Sequence, residues 1–298
     1  YYAGGWAYGV FASTRFLGVA TVTNSGDIEV NGITRATGLS ANSNFGSTFV
    51  YNSGDLTVTG ELESAYGIFS IGKSIEELNY GETGFNNVIN IGDISASSNA
   101  FAVGIQAQQT YGNISIYNSA DVSAIVDNGE YGSAFGLVGL NVYGNVEIVN
   151  LGDVTVSSGA NAGGIIADSL GYDGYYYFFP ADITVTNDGA VSVTSGYGRA
   201  AGISASTYEG DIELIVSGSV DVSGYDRSTG LSASSGYGDV YVYNEASITV
   251  SSSNEYARGI YVNTADGNIE IINESDVDVS GALLTQGISA KSYYGEII

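Results

Sequence analysis

Short runs of alternating apolar and polar residues recur along the chain, three runs to a unit. In the first run, strand A, one phase holds Val22, Val50, Val88, Ile116, Ile148, Val185, Leu214, Val242 and Ile271. Two residues later the same phase holds Asn24, Asn52, Asn90, Asn118, Asn150, Asn187, Asn244 and Asn273, broken only by Val216. Strand B carries Ile28/Val30, Leu56/Val58, Ile94/Ala96, Val122/Ala124, Val154/Val156, Val191/Val193, Val220/Val222, Ile248/Val250 and Val277/Val279. Alternation with period two predicts strands with one buried face, and its regularity predicts a single register. Strand C contains Gly9, Gly38, Gly67, Gly104, Gly136, Gly164, Gly202, Gly230, Gly259 and Gly287, each followed at once by Val, Ile or Leu. Two residues beyond that aliphatic stands a residue that is small in nearly every unit, as in Ala12, Ala41, Ser70, Ala107 and Gly139, which lets the wall curve inward.

The ladder glycines are 28 or 29 residues apart except for intervals of 37, 32 and 38. A repeat of that length without helical periodicity predicts a solenoid. The expected fold is all-β: a right-handed parallel β-helix of about ten coils of about 28 residues, three strands per coil, forming one continuous domain over 1–298 and a rod of about 48 Å. The hand follows from the preference of parallel crossovers. An inward Asn is costly unless bonded, so the Asn column is expected to pass hydrogen bonds from coil to coil. The ladder glycine is expected to supply either positive φ or a close backbone approach at a corner.

Composition removes several chemistries. The chain has no Cys, Met or His, which excludes disulfides, thiolate zinc sites and Ser-His or Cys-His nucleophile pairs within it. Seven basic against 32 acidic residues give a formal charge of −25, which repels phosphate backbones and argues against nucleic acid. No apolar run approaches the roughly 18 residues of a spanning helix, so no transmembrane segment is expected. The Ser, Thr, Asn, Gly and Tyr content points to an extracellular, cell-surface protein. The chain opens Tyr1-Tyr2 rather than with Met, as a processed or excised piece would.

The inward Asn ladder resembles that of right-handed β-helices of the pectate-lyase-like class. Units such as Asn52-Ser-Gly-Asp-Leu-Thr-Val-Thr and Asn150-Leu-Gly-Asp-Val-Thr-Val-Ser, followed by Gly-Ile-x-Ala, resemble the repeats of bacterial autotransporter passengers and filamentous surface adhesins. The resemblance covers the whole chain and implies a fold, while its function varies among lyases, adhesins and inert stalks.

Three insertions interrupt the repeat, near 72–85 and 168–181 between strands C and A, and near 126–130 between B and C. The second holds Tyr172, Tyr175, Tyr176, Tyr177, Phe178 and Phe179 before the single proline, Pro180. These aromatics read either as a patch for sugar stacking or contact between copies, or as a loop folded over the outer wall. Asp27, Asp55, Asp93, Asp121 and Asp153 recur where strand B begins. Stacked about 4.8 Å apart, such carboxylates repel by about 0.9 kcal/mol per neighbouring pair in water, and Ca²⁺ between them would reverse the sign. The competing reading has each Asp bonded to local backbone amides after a turn. An outward column on strand A, including Tyr51, Ile89, Tyr117, Val149, Ile215, Tyr243 and Ile272, is unusually apolar for a solvated wall. Asn113-Ile-Ser is the outward-facing glycosylation sequon.

A lyase would need a cation over an acidic sugar; Arg35, Arg199 and Arg227 share the position three residues before the ladder glycine, but surface solvation is the default explanation for them. No catalytic or cofactor-binding signature stands out, so the expectation is not an enzyme, with no cofactor unless Ca²⁺. Neither end shows a charged cap or amphipathic helix, which predicts head-to-tail self-association or a longer solenoid of the same chain. The functional expectation is an extracellular structural rod or fibre subunit on a bacterial surface. An adhesin binding glycan or a neighbouring surface through corner loops is second, and a polysaccharide lyase, hydrolase or phage tailspike third.

Overall fold

A computed structural model describes residues 5–15, 18–73, 84–127, 129–170 and 180–298. It is an all-β parallel solenoid of about nine turns, about 29 residues per turn, with three strands per coil and almost no helix. The coils are numbered by their C strands, from β1 (Trp6–Thr14) in coil 1 to β27 (Leu284–Ser292) in coil 10. Ten ladder glycines therefore bound nine complete turns, because beyond β27 wall A continues only as the bridge Ile269↔Ile297. Wall B is a nine-stranded sheet running in sequential order from β3 (Ile28–Gly32) to β26 (Val277–Gly281). Walls A and C are joined in one sheet because β10 (Phe101–Asn118) passes through the corner between them without a break.

Every pairing is parallel and joins equivalent repeat positions: Val22↔Val50 and Asn24↔Asn52 in wall A, Ile28↔Leu56 in wall B, Leu39↔Ile68 in wall C. The long intervals do not shift it. Ala162 pairs with Ala200 although 38 residues separate them. The strands Ser64–Gly72 and Ala162–Ser169 of wall C are followed in the chain by Gly84–Asn90 and Ile183–Asn187 of wall A, and between Val122–Val126 of wall B and Ser133–Tyr143 of wall C lies the 3₁₀ turn Gly129–Tyr131. The six aromatics Tyr172, Tyr175, Tyr176, Tyr177, Phe178 and Phe179 lie outside the described residues, whereas Pro180 is exposed.

The core consists of axial columns. Leu39, Ile68, Ile105, Leu137, Ile165 and Ile203, each directly after a ladder glycine, are all 0 % exposed and stack on one another. Burying such a side chain stabilises by about 1.5–3 kcal/mol, and a solenoid repeats that gain in each turn. The outward apolar column of wall A is mostly half-buried by its own neighbours, Tyr117 being its most exposed large apolar member at 37 %. Tyr243 in that column donates to Glu245 and, at 3.3 Å, to Glu274, and these carboxylates hold its phenol well above the usual range.

The ladder glycines answer to space rather than to φ. Positive φ occurs instead at Gly112, Gly144 and Gly210 (φ 110°, 138° and 127°), which turn the C-to-A corner. At the ladder, two successive inward residues break the alternation: Ala65, Gly67, Ile68 and Ser70 are buried while Tyr66 and Phe69 face out. The cross-coil pairing steps over the glycine in each case, as between Tyr66 and Ile68. A Cβ on Gly38 would stand 2.7 Å from the Gly67 carbonyl and 3.1 Å from Val58 Cγ2. Wall C thus bends toward wall B at each glycine, and the two walls approach too closely there for any side chain.

Candidate functional site

The Asn column forms an amide ladder with one break. Nδ2 of Asn24, Asn52, Asn90, Asn118 and Asn150 donates to Oδ1 of the Asn one coil on, at 2.8, 2.8, 2.7, 2.7 and 2.8 Å. The second hydrogen of each amide goes to the carbonyl two residues ahead, as from Asn90 to Gly92 at 2.8 Å, which fixes the A-to-B turn. The break has a local cost. Val216 has no amide, so Oδ1 of Asn244 is buried without a partner, and the ladder resumes only at Asn244 to Asn273, 2.7 Å.

The Asp column is also a hydrogen-bonded ladder. Oδ1 of Asp27, Asp55, Asp93 and Asp121 accepts from the backbone N–H of the next Asp at 3.1, 3.1, 3.1 and 3.0 Å, and Asp153 accepts from Ala190 N–H at 2.8 Å. The amide is therefore the one a coil away rather than the local one expected. This explains the residue type: strand B is just beginning, so that N–H has no carbonyl partner in the sheet, and a short acceptor reaches it. Each Asp proposed as a Ca²⁺ ligand thus caps a backbone amide, and among the described residues no three acidic side chains converge on a point where they could hold a metal ion. Asp93→Asn, which keeps the acceptor and removes a charge, is expected to leave stability unchanged or slightly raised at low salt. Asp93→Ala should lower it by about 1 kcal/mol. Chemical denaturation with and without Ca²⁺ checks both, and a loss in Asp93→Asn seen only with Ca²⁺ would restore the metal reading.

A second ladder of the same kind escaped the sequence reading. At the C-to-A corner, Asn113, Asn145, Asp182, Asp211, Asp239 and Asn268 accept through Oδ1 from the backbone N–H one coil on at 3.1, 2.9, 3.0, 2.8, 2.7 and 3.0 Å. Its signal was present as Gly or Ala, then Asn or Asp, then Ile or Val at the start of strand A. Asn113, read as a glycosylation sequon, is the first of these acceptors.

The outer face of wall C differs from the rest of the surface. Because the strands bend inward at each glycine, the residues flanking the bend converge outside. Tyr66 and Phe69 have ring centroids 4.8 Å apart, Tyr8 and Phe11 5.2 Å, and the row continues through Phe101 to Phe135 at 5.8 Å steps. Arg35 lies over this row, its guanidinium carbon 4.5 Å from the Tyr66 ring, 4.8 Å from Phe69 and 5.9 Å from Trp6. Burial raises the Tyr66 phenol above its ordinary range, with Arg35 opposing it. In coils 8 and 9, Arg227 and Arg258 stand over Tyr256 at 4.7 and 4.8 Å, Arg258 also stands over Tyr261 at 4.4 Å, and Arg227 pairs with Glu255 at 2.7 Å.

The arginines singled out in the sequence are not brought to one place. Arg35 belongs to coil 2, while Arg199 and Arg227 sit on adjacent coils 7 and 8, Arg227 already neutralised. No helix among the described residues is long and apolar enough to cross a membrane. Comparison with family models, curated proteins and solved structures finds no match to this chain.

Proposed function

We propose that this chain is a structural rod of a bacterial cell surface that holds its corner loops away from their attachment point. The observation that carries the reading is the axial bonding, which recurs in every turn. Three parallel walls, the Asn ladder and two Asn/Asp corner ladders all connect coil to coil, so a load along the axis is shared among many bonds in each turn. Nine turns at about 4.8 Å make a stiff element of about 43 Å. The acidic exterior keeps such rods soluble, and the lack of Cys and His leaves no side chain for thiol or imidazole chemistry. Adhesion is the second reading, supported by the aromatic row from Tyr8 to Phe135, which offers ring faces to a sugar or a neighbouring surface.

The test pairs electron microscopy of the purified chain with incubation against neutral and acidic polysaccharides, read for new reducing ends and unsaturated products. Rods without product release support the structural reading. Product release at a rate proportional to protein concentration would overturn it in favour of the enzyme.

A further inference from the structure

The charges of this protein are sorted by wall. The outward positions of wall C carry Arg35, Arg227, Arg258 and Lys291, and Arg199 stands one residue before its strand, Ala200–Thr207, level with Arg227; together they are five of the seven basic residues in the chain. The same positions carry one of the 32 acidic residues, Asp168, and burial pushes its carboxyl above the usual range. A wall with a net positive charge has formed on a chain of net charge −25. Its cations fall one per coil over four consecutive coils, Arg199, Arg227, Arg258 and Lys291 in coils 7 to 10, with Arg227 tied to Glu255 from the adjoining corner.

The complementary feature is on the same molecule. Asp27, Asp55, Asp93, Asp121 and Asp153 form an exposed row, one per coil over coils 1 to 5. Asp55, Asp93, Asp121 and Asp153 line a shallow groove of about 460 Å³ with Thr57, Ser95, Ser123 and Thr155. Only Oδ1 of each carboxylate is used by the neighbouring amide in this ladder. Both charge rows repeat with the rise of the solenoid, about 4.8 Å, so two parallel rods bring several pairs into register at once. A ligand with another repeat would match only one or two.

We infer that wall C is a docking surface for the Asp groove of a second copy of this chain, with the two rods side by side, parallel and staggered by about five coils, about 24 Å. The two surfaces are different patches of one molecule, so after pairing one copy still has its Asp groove free and the other its wall C. The contact is heterologous and does not close, and it extends a bundle rather than ending at a dimer. Arg258 and Lys291 are held in place on wall C by contacts with the rings of Tyr256, Tyr261 and Tyr293. The inference adds a partner to the structural reading and rests on it for its purpose, though not for its test.

Sedimentation velocity of the full chain at low and high salt reads the association. The expected result is concentration-dependent growth at low salt that falls at least tenfold at high salt, as Debye screening requires. A variant carrying Arg199→Glu, Arg258→Glu and Lys291→Glu should remain monomeric at both, with its circular dichroism and denaturation midpoint checked against the parent. Because that variant alters ring contacts, a second one, Asp93→Lys with Asp121→Lys, tests the other surface, and mixing the two should restore association that neither shows alone. Monomers at every salt, association indifferent to both variants, or failure of the mixture would each overturn the proposal. So would parent monomers that bind an acidic polysaccharide through these same cations. Product release from polysaccharide would defeat the structural reading while leaving these sedimentation results to stand by themselves.

Discussion

Asn118→Ala is expected to lower stability by about 3–5 kcal/mol, because three bonds meet at that one amide. Asn118 accepts from Asn90 Nδ2 at 2.7 Å and donates to Asn150 Oδ1 at 2.7 Å and to the Ala120 carbonyl at 2.6 Å. All three partners are in the interior or its lining, where water cannot replace the lost group, and each orphaned atom retains its full desolvation penalty. The opposite experiment uses the natural gap. Val216 is 0 % exposed and pairs with Asn187 and Asn244, so Val216→Asn gives a donor to the orphan Oδ1 of Asn244 and an acceptor to Asn187. A gain of about 1 kcal/mol is expected after loss of the buried valine. Denaturant unfolding of both variants decides the matter: a loss below about 1 kcal/mol in the first would mean that the ladder is ornamental to stability.

The second large effect belongs to Gly104. A Cβ there falls inside contact distance of Val122 Cγ1 and 2.8 Å from the Gly136 carbonyl, one a packed side chain of wall B and the other backbone of the next coil. Neither can withdraw without moving a wall, so Gly104→Ala is expected to cost about 3 kcal/mol, the upper end for overpacking. Two comparisons isolate the cause. Val122→Ala in the same chain removes the clashing methyl and should recover more than about 1 kcal/mol beyond additivity. Gly287, at the same repeat position in coil 10, would meet nothing within 4 Å, so Gly287→Ala should be neutral or slightly stabilising. Equal losses at the two glycines would point to backbone conformation instead of space.

These cases show why parts of the molecule could be read early and others not. The inward Asn column was legible because Val22 and Asn24 share a phase two residues apart, and the same pair recurs at Val50 and Asn52 with Val50 and Asn52 both buried. The Asp column was legible as a column, but its partner was not, because Asp93 N–H and Asp55 Oδ1 are 38 residues apart in the chain and adjacent only across the coil. For the ladder glycines, close approach and positive φ leave the same trace in a sequence, and the 2.7 Å from a Cβ on Gly38 to the Gly67 carbonyl decides between them. The second corner ladder was missed because Asn113, Asn145 and Asp182 mix two residue types that serve equally as acceptors.

By itself the sequence determined the parallel solenoid, the three strands per coil, their inward faces and the cross-coil register. It could do so because period-two alternation is a local property and the repeat copies it coil after coil. The tertiary structure decided which atom each polar side chain bonds, why glycine is required at the bend, and that the few cations collect on one wall while the Asp residues line another. Those facts depend on residues 28 to 38 positions apart coming into contact one coil away, and on which way a bent strand turns its side chains, neither of which is written in any single stretch of the chain.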